Sequence, residues 1–314
     1  MWKLVRGHSR SSDGLRKANE FERAAAFLES SGEYRVLRRL RPLPRLDPSR
    51  VETSLKRGVF VDVETTGLDR LRDEIMDLAM MHFWYSIDGL LLGLGDCFEA
   101  LRDPGRPIPP AVTSLTGITD NMVAGRTIDP ADVAKFIAPA VLVVAHNSEF
   151  DRRFCERFCT AFAQKPWACS LRDVQWDEEG FVDGAKLPNL ATAFGLFYDG
   201  HRAAHDCHAG IVILSQTLPR SGIPALSALL KSARTARFRV WARGAPFACR
   251  ETLKRRGYRW SDGSDGRPRA WFTDVAEEAL GAEQSFLRTY VYGGAPVVID
   301  ARRVTAFERY SSRC

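Results

Sequence analysis

From residue 58 to residue 101 the chain alternates apolar runs with short polar breaks. Val59–Glu64 and Ile75–Tyr85 are predicted strands, the second rich in Met, Phe and Trp. Asp96–Leu101 is a third, antiparallel to its neighbours after a Gly-rich turn at Gly93–Gly95. Helices are predicted at 111–124 and 131–138. Val141–Ala145 is a continuous apolar run without alternation, as a buried strand should be, and a helix follows at about 148–162. A long helix is expected from about Ala203 to Leu218. This order of strands and helices fits a mixed sheet flanked by helices.

The flanks have a different texture. Leu15, Ala18, Phe21, Ala24, Ala25 and Leu28 give a helical stripe over 15–29, which Gly32 closes. A second short helix is expected near Tyr34–Leu40, ending before Pro42 and Pro44, and 41–56 reads as a linker. Beyond about 235, Arg237–Arg243 alternates like a strand. Pro246 sits at a first helical position and Gly257 closes that helix. Tyr258–Trp260 and Ala270–Phe272 bracket a hairpin turn, and a helix follows at about 275–290. The chain thus divides into an N-terminal helical extension and linker (1–57), an α/β domain (58–235) and a small β-α-β-β-α unit (236–314).

Of the 314 residues, 45% are apolar and 27% charged, ordinary values for a globular protein. No apolar run nears the roughly 18 residues of a membrane helix. The N-terminus has no apolar stretch behind its first cationic residue, which argues against a secretory signal. Seven cysteines without a Cys-x-x-Cys pair point to a reducing, cytoplasmic setting. The net charge of +6 divides into +7 over residues 1–57, −9 over 58–230 and +8 over 231–314. Basic ends concentrate near polyanions, and clustered carboxylates hold divalent cations, although solvated surface charge explains the same asymmetry.

Val59-Phe-Val-Asp-Val-Glu64 is the most informative stretch. Alternation puts Asp62 and Glu64 on one face of a strand whose valines mark it as buried. Two such carboxylates repel and lose hydration, so the protein must supply cations or protonate one acid. Ala145-His-Asn-Ser-Glu-Phe-Asp151 places Asp151 one turn into a helix after a buried strand, where a helix-start acid serves equally well. In His201-Arg-Ala-Ala-His-Asp206, His201 and Asp206 can flank one site, or simply open a polar helix. Cys155, Cys159, Cys169, Cys207 and His208 offer zinc donors, but core packing accounts for buried cysteines more simply.

Together and in this order the three motifs resemble the DEDDh family of 3′–5′ exonucleases, which includes the epsilon proofreading subunit of bacterial DNA polymerase III, oligoribonuclease and ribonuclease T. The resemblance spans about 58–218 and includes Leu115-Thr-Gly-Ile-Thr119, similar to a segment that contacts the terminal nucleotide in epsilon-like members. It implies a ribonuclease H-like fold and hydrolysis with two divalent cations, Mg²⁺ or Mn²⁺. Asp62, Glu64, Asp151 and Asp206 would be the ligands and His201 the general base, with activity rising through the ordinary histidine pKa of about 6.5. His205, next to Asp206, lacks the family spacing. By the same resemblance Thr65, Gly67, Leu68, Thr116, Gly117, Ile118, His146, Asn147 and Phe150 would bind substrate.

The expected activity is release of nucleoside 5′-monophosphates from single-stranded DNA 3′ ends, with a DNA polymerase or repair partner and no membrane. Two alternatives stay open: an RNA exonuclease of the oligoribonuclease type, and a non-catalytic nucleic-acid-binding or polymerase-associated module. Lys254-Arg-Arg-Gly-Tyr-Arg-Trp260 and Trp271-Phe272 interleave basic and aromatic residues in the manner of a single-strand binder, or form a small core with solvated charges. Arg35, Arg38, Arg39 and Arg41 either cover the central domain or dock a partner.

Overall fold

The computed structural model describes residues 12–50, 54–264 and 266–313, with the side chains of 12–18 and of Arg50 left out. Residues 1–8, read above against a secretory signal, part of the 41–56 linker, Leu15 and Ala18 of the helical stripe, and Asp265 of the hairpin turn lie outside the described features.

The central sheet has five strands: β1 (Lys56–Thr65), β2 (Ile75–Tyr85), β3 (Leu91–Leu101), β4 (Leu142–Ala145) and β5 (Trp167–Cys169). Their spatial order is β3-β2-β1-β4-β5. β1, β2 and β3 pair antiparallel, whereas β1, β4 and β5 run parallel. Alternation splits β1 between two cores. Val59, Val61 and Val63 join one cluster with Phe154 and Trp167, while Phe60 faces the other with Ala203, Cys207 and Ile211. Helices therefore cover both faces, and the sheet is an α/β sandwich filling.

The helices are α1 (Ser12–Ser30), α2 (Pro110–Thr116), α3 (Pro130–Ile137), α4 (Ser148–Phe158), α5 (Leu187–Ala193), α6 (Ala203–Leu214) and α7 (Ala225–Arg234). α6 lies very close to the sheet. A Cβ on Gly210 would come within 2.1 Å of the Phe60 ring, and the Cys207 thiol reaches the carbonyls of Phe60 and Ala79 at 3.6 and 3.5 Å. This glycine lets the helix descend far enough for Asp206 to meet the end of β1.

The second sheet joins β6 (Arg237–Ala242), β7 (Arg259–Ser261), β8 (Ala270–Ala276) and β9 (Asp300–Val304) in the antiparallel order β9-β6-β8-β7. α8 (Arg250–Arg255) and α9 (Leu280–Phe286) pack against it, and α9 continues into a wide π turn, Leu287–Val291.

Both edges of the central sheet are covered by the flanking segments. On the β3 side Leu46 N–H donates to Leu94 O and Leu94 N–H to Pro44 O, both 2.9 Å. On the β5 side Trp167 N–H donates to Ala306 O at 2.8 Å. Buried Arg152 then ties the chain's last stretch down through the carbonyls of Ala306, Phe307 and Arg309. Covered edges offer no template for intermolecular pairing.

Several expectations need correction. Tyr34–Leu40 is extended rather than helical, because Arg38 and Leu40 N–H donate to Gly195 and Phe197 O, both 2.8 Å, and Arg38–Arg39 pair with Leu196–Phe197. Gly93 and Gly95 lie inside β3, where a Cβ would strike Pro44 O and the His82 side chain; the turn is at Gly89 (φ 84°). The helix expected over 111–124 breaks at left-handed Gly117 (φ 71°) before a further turn, Asp120–Val123. The 148–162 helix ends at Phe158, and the 203–218 helix ends at Leu214. The start of the 275–290 helix is still strand, to Ala276. β5, α5, α7 and β9 have no counterpart in the sequence reading.

Gly210→Ala should cost about 1–3 kcal/mol through overpacking against Phe60. Urea unfolding checks this; unchanged stability would mean that α6 is not seated so tightly on β1.

Candidate active site

β1 runs past the end of β4, and its last residues carry the chemistry. Asp62 and Glu64 are the next two same-face positions after Phe60 and so share the α6 side of the strand. Asp206, in the first turn of α6, meets them: one carboxylate oxygen each of Asp62, Glu64 and Asp206 lie within 4.8 Å of one another. Asp151, in the first turn of α4, comes in from the other side. Its Oδ1 accepts the Val63 N–H at 3.3 Å, beyond the reach of β4. Among the described residues Asp62, Glu64 and Asp206 form the one cluster of three or more metal-type donors.

The electrostatics follow from this crowding. Burial and then the charges of Asp151, Asp206, Glu64 and Asp77 push the Asp62 carboxyl well above its usual range. Glu64 is pushed up to about 8 by burial, Asp206, Asp77 and Asp151. Asp151 and Asp206 are raised too, burial being the largest cause for each. Asp206 is nevertheless held firmly: Oδ1 accepts the Tyr198 O–H at 2.7 Å and Oδ2 the His201 N–H at 2.8 Å. Such a set of oxygens, too crowded to be ionised alone, suits a hard divalent cation.

His201 is exposed and adopts a left-handed backbone (φ 63°), one of two non-glycine residues to do so among those described. Its neighbour Arg202 anchors this strained turn by reaching Asp77 at 3.2 Å and Glu99 at 3.4 Å. His205 is engaged elsewhere, its Nδ1 sitting 2.8 Å from Asp199 O.

The sequence reading missed Asp77 and Arg202. Asp77 is fully buried, pairs directly across from Glu64, and leaves its Oδ1 without a partner. A lone acid inside the apolar run of β2 was the signal available. The zinc donors do not assemble: Cys155 and Cys159 belong to one core cluster and Cys207 to the opposite one.

The other residues singled out fall into two groups. One group surrounds the end of β1: Leu68 is 82% exposed, exposed Asn147 precedes α4, and half-buried Phe150 leans on Phe154 with centroids 4.9 Å apart. Thr65 Oγ1 donates to Gly67 O at 2.6 Å, and a Cβ on Gly67 would lie 2.4 Å from Asp73 Oδ2, so the turn is closed around Asp73. The second group is engaged internally. Thr116 donates to Val112 O at 2.9 Å, and Ile118 is fully buried beside Met76, so around Gly117 only backbone is offered. His146 lies 2.9 Å from Ser170 Oγ and 2.8 Å from Ala185 O, and burial lowers its pKa to about 4, which marks it as a neutral clamp.

Residues 59–214 match the family model described as Exonuclease (RNase_T). The DNA polymerase III subunit epsilon of Treponema pallidum is 31% identical over 154 residues, 46% of this chain and 68% of that protein. The PolC-type DNA polymerase III of Listeria welshimeri is 42% identical over 97 residues, 30% of this chain and 6% of that one, so the chain spans a small part of such polymerases. The exonuclease I–single-stranded DNA complex of E. coli is similar over 70% of this chain and 63% of its own, with 16% identity and a TM-score of 0.48. The chain belongs to the exonuclease family that includes the epsilon subunit of DNA polymerase III.

The raised carboxyl pKa values have a measurable consequence. A group such as Glu64, at about 8 when folded and near the usual 4.5 when unfolded, favours the folded state below pH 4.5 and loses that contribution as pH rises through 8. The metal-free protein should therefore melt at lower temperature at pH 8.5 than at pH 5. Added Mn²⁺ should raise the melting temperature more at pH 8.5 than at pH 5. A metal effect of equal size at both pH values would contradict this account of the site.

Proposed function

We propose that the protein is a 3′–5′ exonuclease that hydrolyses phosphodiester bonds at the 3′ ends of single-stranded DNA and releases nucleoside 5′-monophosphates. The observation that carries this reading is the convergence of Asp62, Glu64 and Asp206 within 4.8 Å. Asp62, Glu64, Asp206 and Asp151 are the residues that would hold two divalent cations, Mg²⁺ or Mn²⁺. Bound there, the cations would offset the charge of the phosphodiester, activate a water and stabilise the leaving oxygen.

His201 takes the proton of the attacking water, a task that requires its neutral form. Asp206 supports it twice, by accepting its N–H and by opening the helix that follows. Arg202, fixed to Asp77 and Glu99, is a positioning residue for the same turn. The Thr65–Leu68 turn receives the 3′-terminal nucleotide: the backbone of Thr65 and Gly67 binds it and exposed Leu68 lies against its base. Backbone around Thr116, Gly117 and Ile118 completes that pocket, His146 and Asn147 shape the entry to α4, and Phe150 lies under the penultimate base. The relatives' names, DNA polymerase III components, support DNA as substrate and a polymerase or repair complex as partner. No helix among the described residues is long and apolar enough to cross a membrane; the cytoplasmic placement we propose follows from the relatives' names as DNA polymerase III components.

The test uses 5′-labelled single-stranded DNA, duplex DNA and RNA with Mn²⁺, Mg²⁺ or a chelator. The single strand should shorten stepwise from its 3′ end with either metal, faster than the other two substrates, and stay intact with chelator. His201→Ala should lower kcat by about 10²–10⁴, and Asp62→Ala at least as much, because metal occupancy falls too. Near wild-type rates in both variants, or cleavage in chelator, would remove the mechanism.

A further inference from the structure

A groove of about 990 Å³ lies between the turn that follows β1 and the β7–β8 hairpin. One wall is Leu68 to Arg72, directly after the metal-type carboxylates; the other is Trp260 and the hairpin turn, and α4 forms the floor. We propose that this groove carries the single strand upstream of the 3′ end under cleavage. The inference rests on the reading above and extends it from the terminal nucleotide to the strand behind it.

Three observations support the assignment. First, the groove exposes apolar surface on both walls: Leu68, Leu71 at 71% and Trp260 at 49% exposure. An aromatic side chain open to solvent along a channel, here Trp260, offers a stacking face for a base of any sequence, and the exposed leucines offer apolar contact. Second, the channel presents guanidinium groups in excess. Arg72 has an 85% exposed side chain and one loose contact, 3.7 Å to Asp69. Arg70 keeps its Nε buried with no hydrogen-bond partner.

Third, the acids in the floor are already outnumbered. Glu149 faces Arg153, Arg172, Arg259 and Arg267, and Glu156 pairs with Arg152 and Arg313. Over the whole lining five arginines stand against four acids, Asp69 and Asp262 included, a balance of one positive charge and the sign a chain of phosphates requires. The basic stretch Lys254–Trp260 contributes differently from the sequence expectation. Tyr258 is buried on Glu283, Arg256 pairs with Glu283 and Arg259 with Glu149, so of that stretch Trp260 is the residue that reaches the groove.

The test is binding in chelator, by anisotropy, of 5′-fluorescein trithymidylate and of a roughly 20-nucleotide oligothymidylate, the longer one able to pass beyond the terminal site into the groove. Wild type should bind the long oligomer more tightly. Trp260→Ala and Arg72→Gln should each weaken the long oligomer at least about fivefold and trithymidylate less than about twofold, and Arg72→Gln should reduce the slope of log K against log salt by about 0.7. Trp260→Phe should restore the long-oligomer affinity, which separates stacking from a folding defect. Unchanged affinity for the long oligomer in both variants, or equal losses on both lengths, would overturn the proposal. A wild type that degrades DNA with Mn²⁺ but binds both lengths equally removes the groove and keeps the exonuclease. One that shows the length effect but cleaves nothing removes the exonuclease and keeps the groove.

Discussion

The structure depends on holding carboxylates together that would rather separate. Asp62, Glu64 and Asp206 meet at one end of a buried strand, with Asp151 approaching from its other side and Asp77 directly across from Glu64, and each of the five is raised in pKa chiefly by burial. Left without cations, the cluster is a cost to the fold. The fold offsets it with rigidity: the Val63 N–H holds Asp151, the Tyr198 hydroxyl and His201 N–H hold Asp206, and Arg202 holds Asp77. None of these contacts neutralises the group as a whole, so a positive charge of higher density has a prepared place.

The flanking segments serve that arrangement from a distance. The stretch around Pro44–Leu46 closes the β3 edge and the stretch around Ala306 closes the β5 edge. Arg152, adjacent in sequence to Asp151, is the anchor for the latter. The helix that delivers one carboxylate to the site is thus clamped by the chain's last residues. The same helix carries Glu149 and with it the contact to β7. Domain packing and site geometry share one element, which is why the hairpin with Trp260 stands next to the Leu68 turn.

Part of this was legible beforehand. Alternation in Val59–Glu64 put two acids on one face, and the order of the three motifs, through its resemblance to the DEDDh exonucleases, pointed to Asp151 and Asp206. What was not legible depends on partners far along the chain. Tyr34–Leu40 has the composition of a helix, but its hydrogen bonds go to Gly195 and Phe197. Gly93 and Gly95 look like a turn, yet they are glycines because Pro44 and His82 press against that strand. Asp77 is a lone acid in an apolar run, and its place opposite Glu64 depends on the register of β1 against β2. Tyr258 and Phe272 look like a binding surface until the second sheet buries them.

The central claim is that these carboxylates hold two divalent cations. Anomalous diffraction from crystals equilibrated with Mn²⁺ measures it most directly. The account predicts two manganese peaks about 3.5–4 Å apart, in contact with Asp62, Glu64, Asp151 and Asp206. Well-ordered carboxylates with no anomalous density between them, at a manganese concentration that saturates any activity, would contradict it.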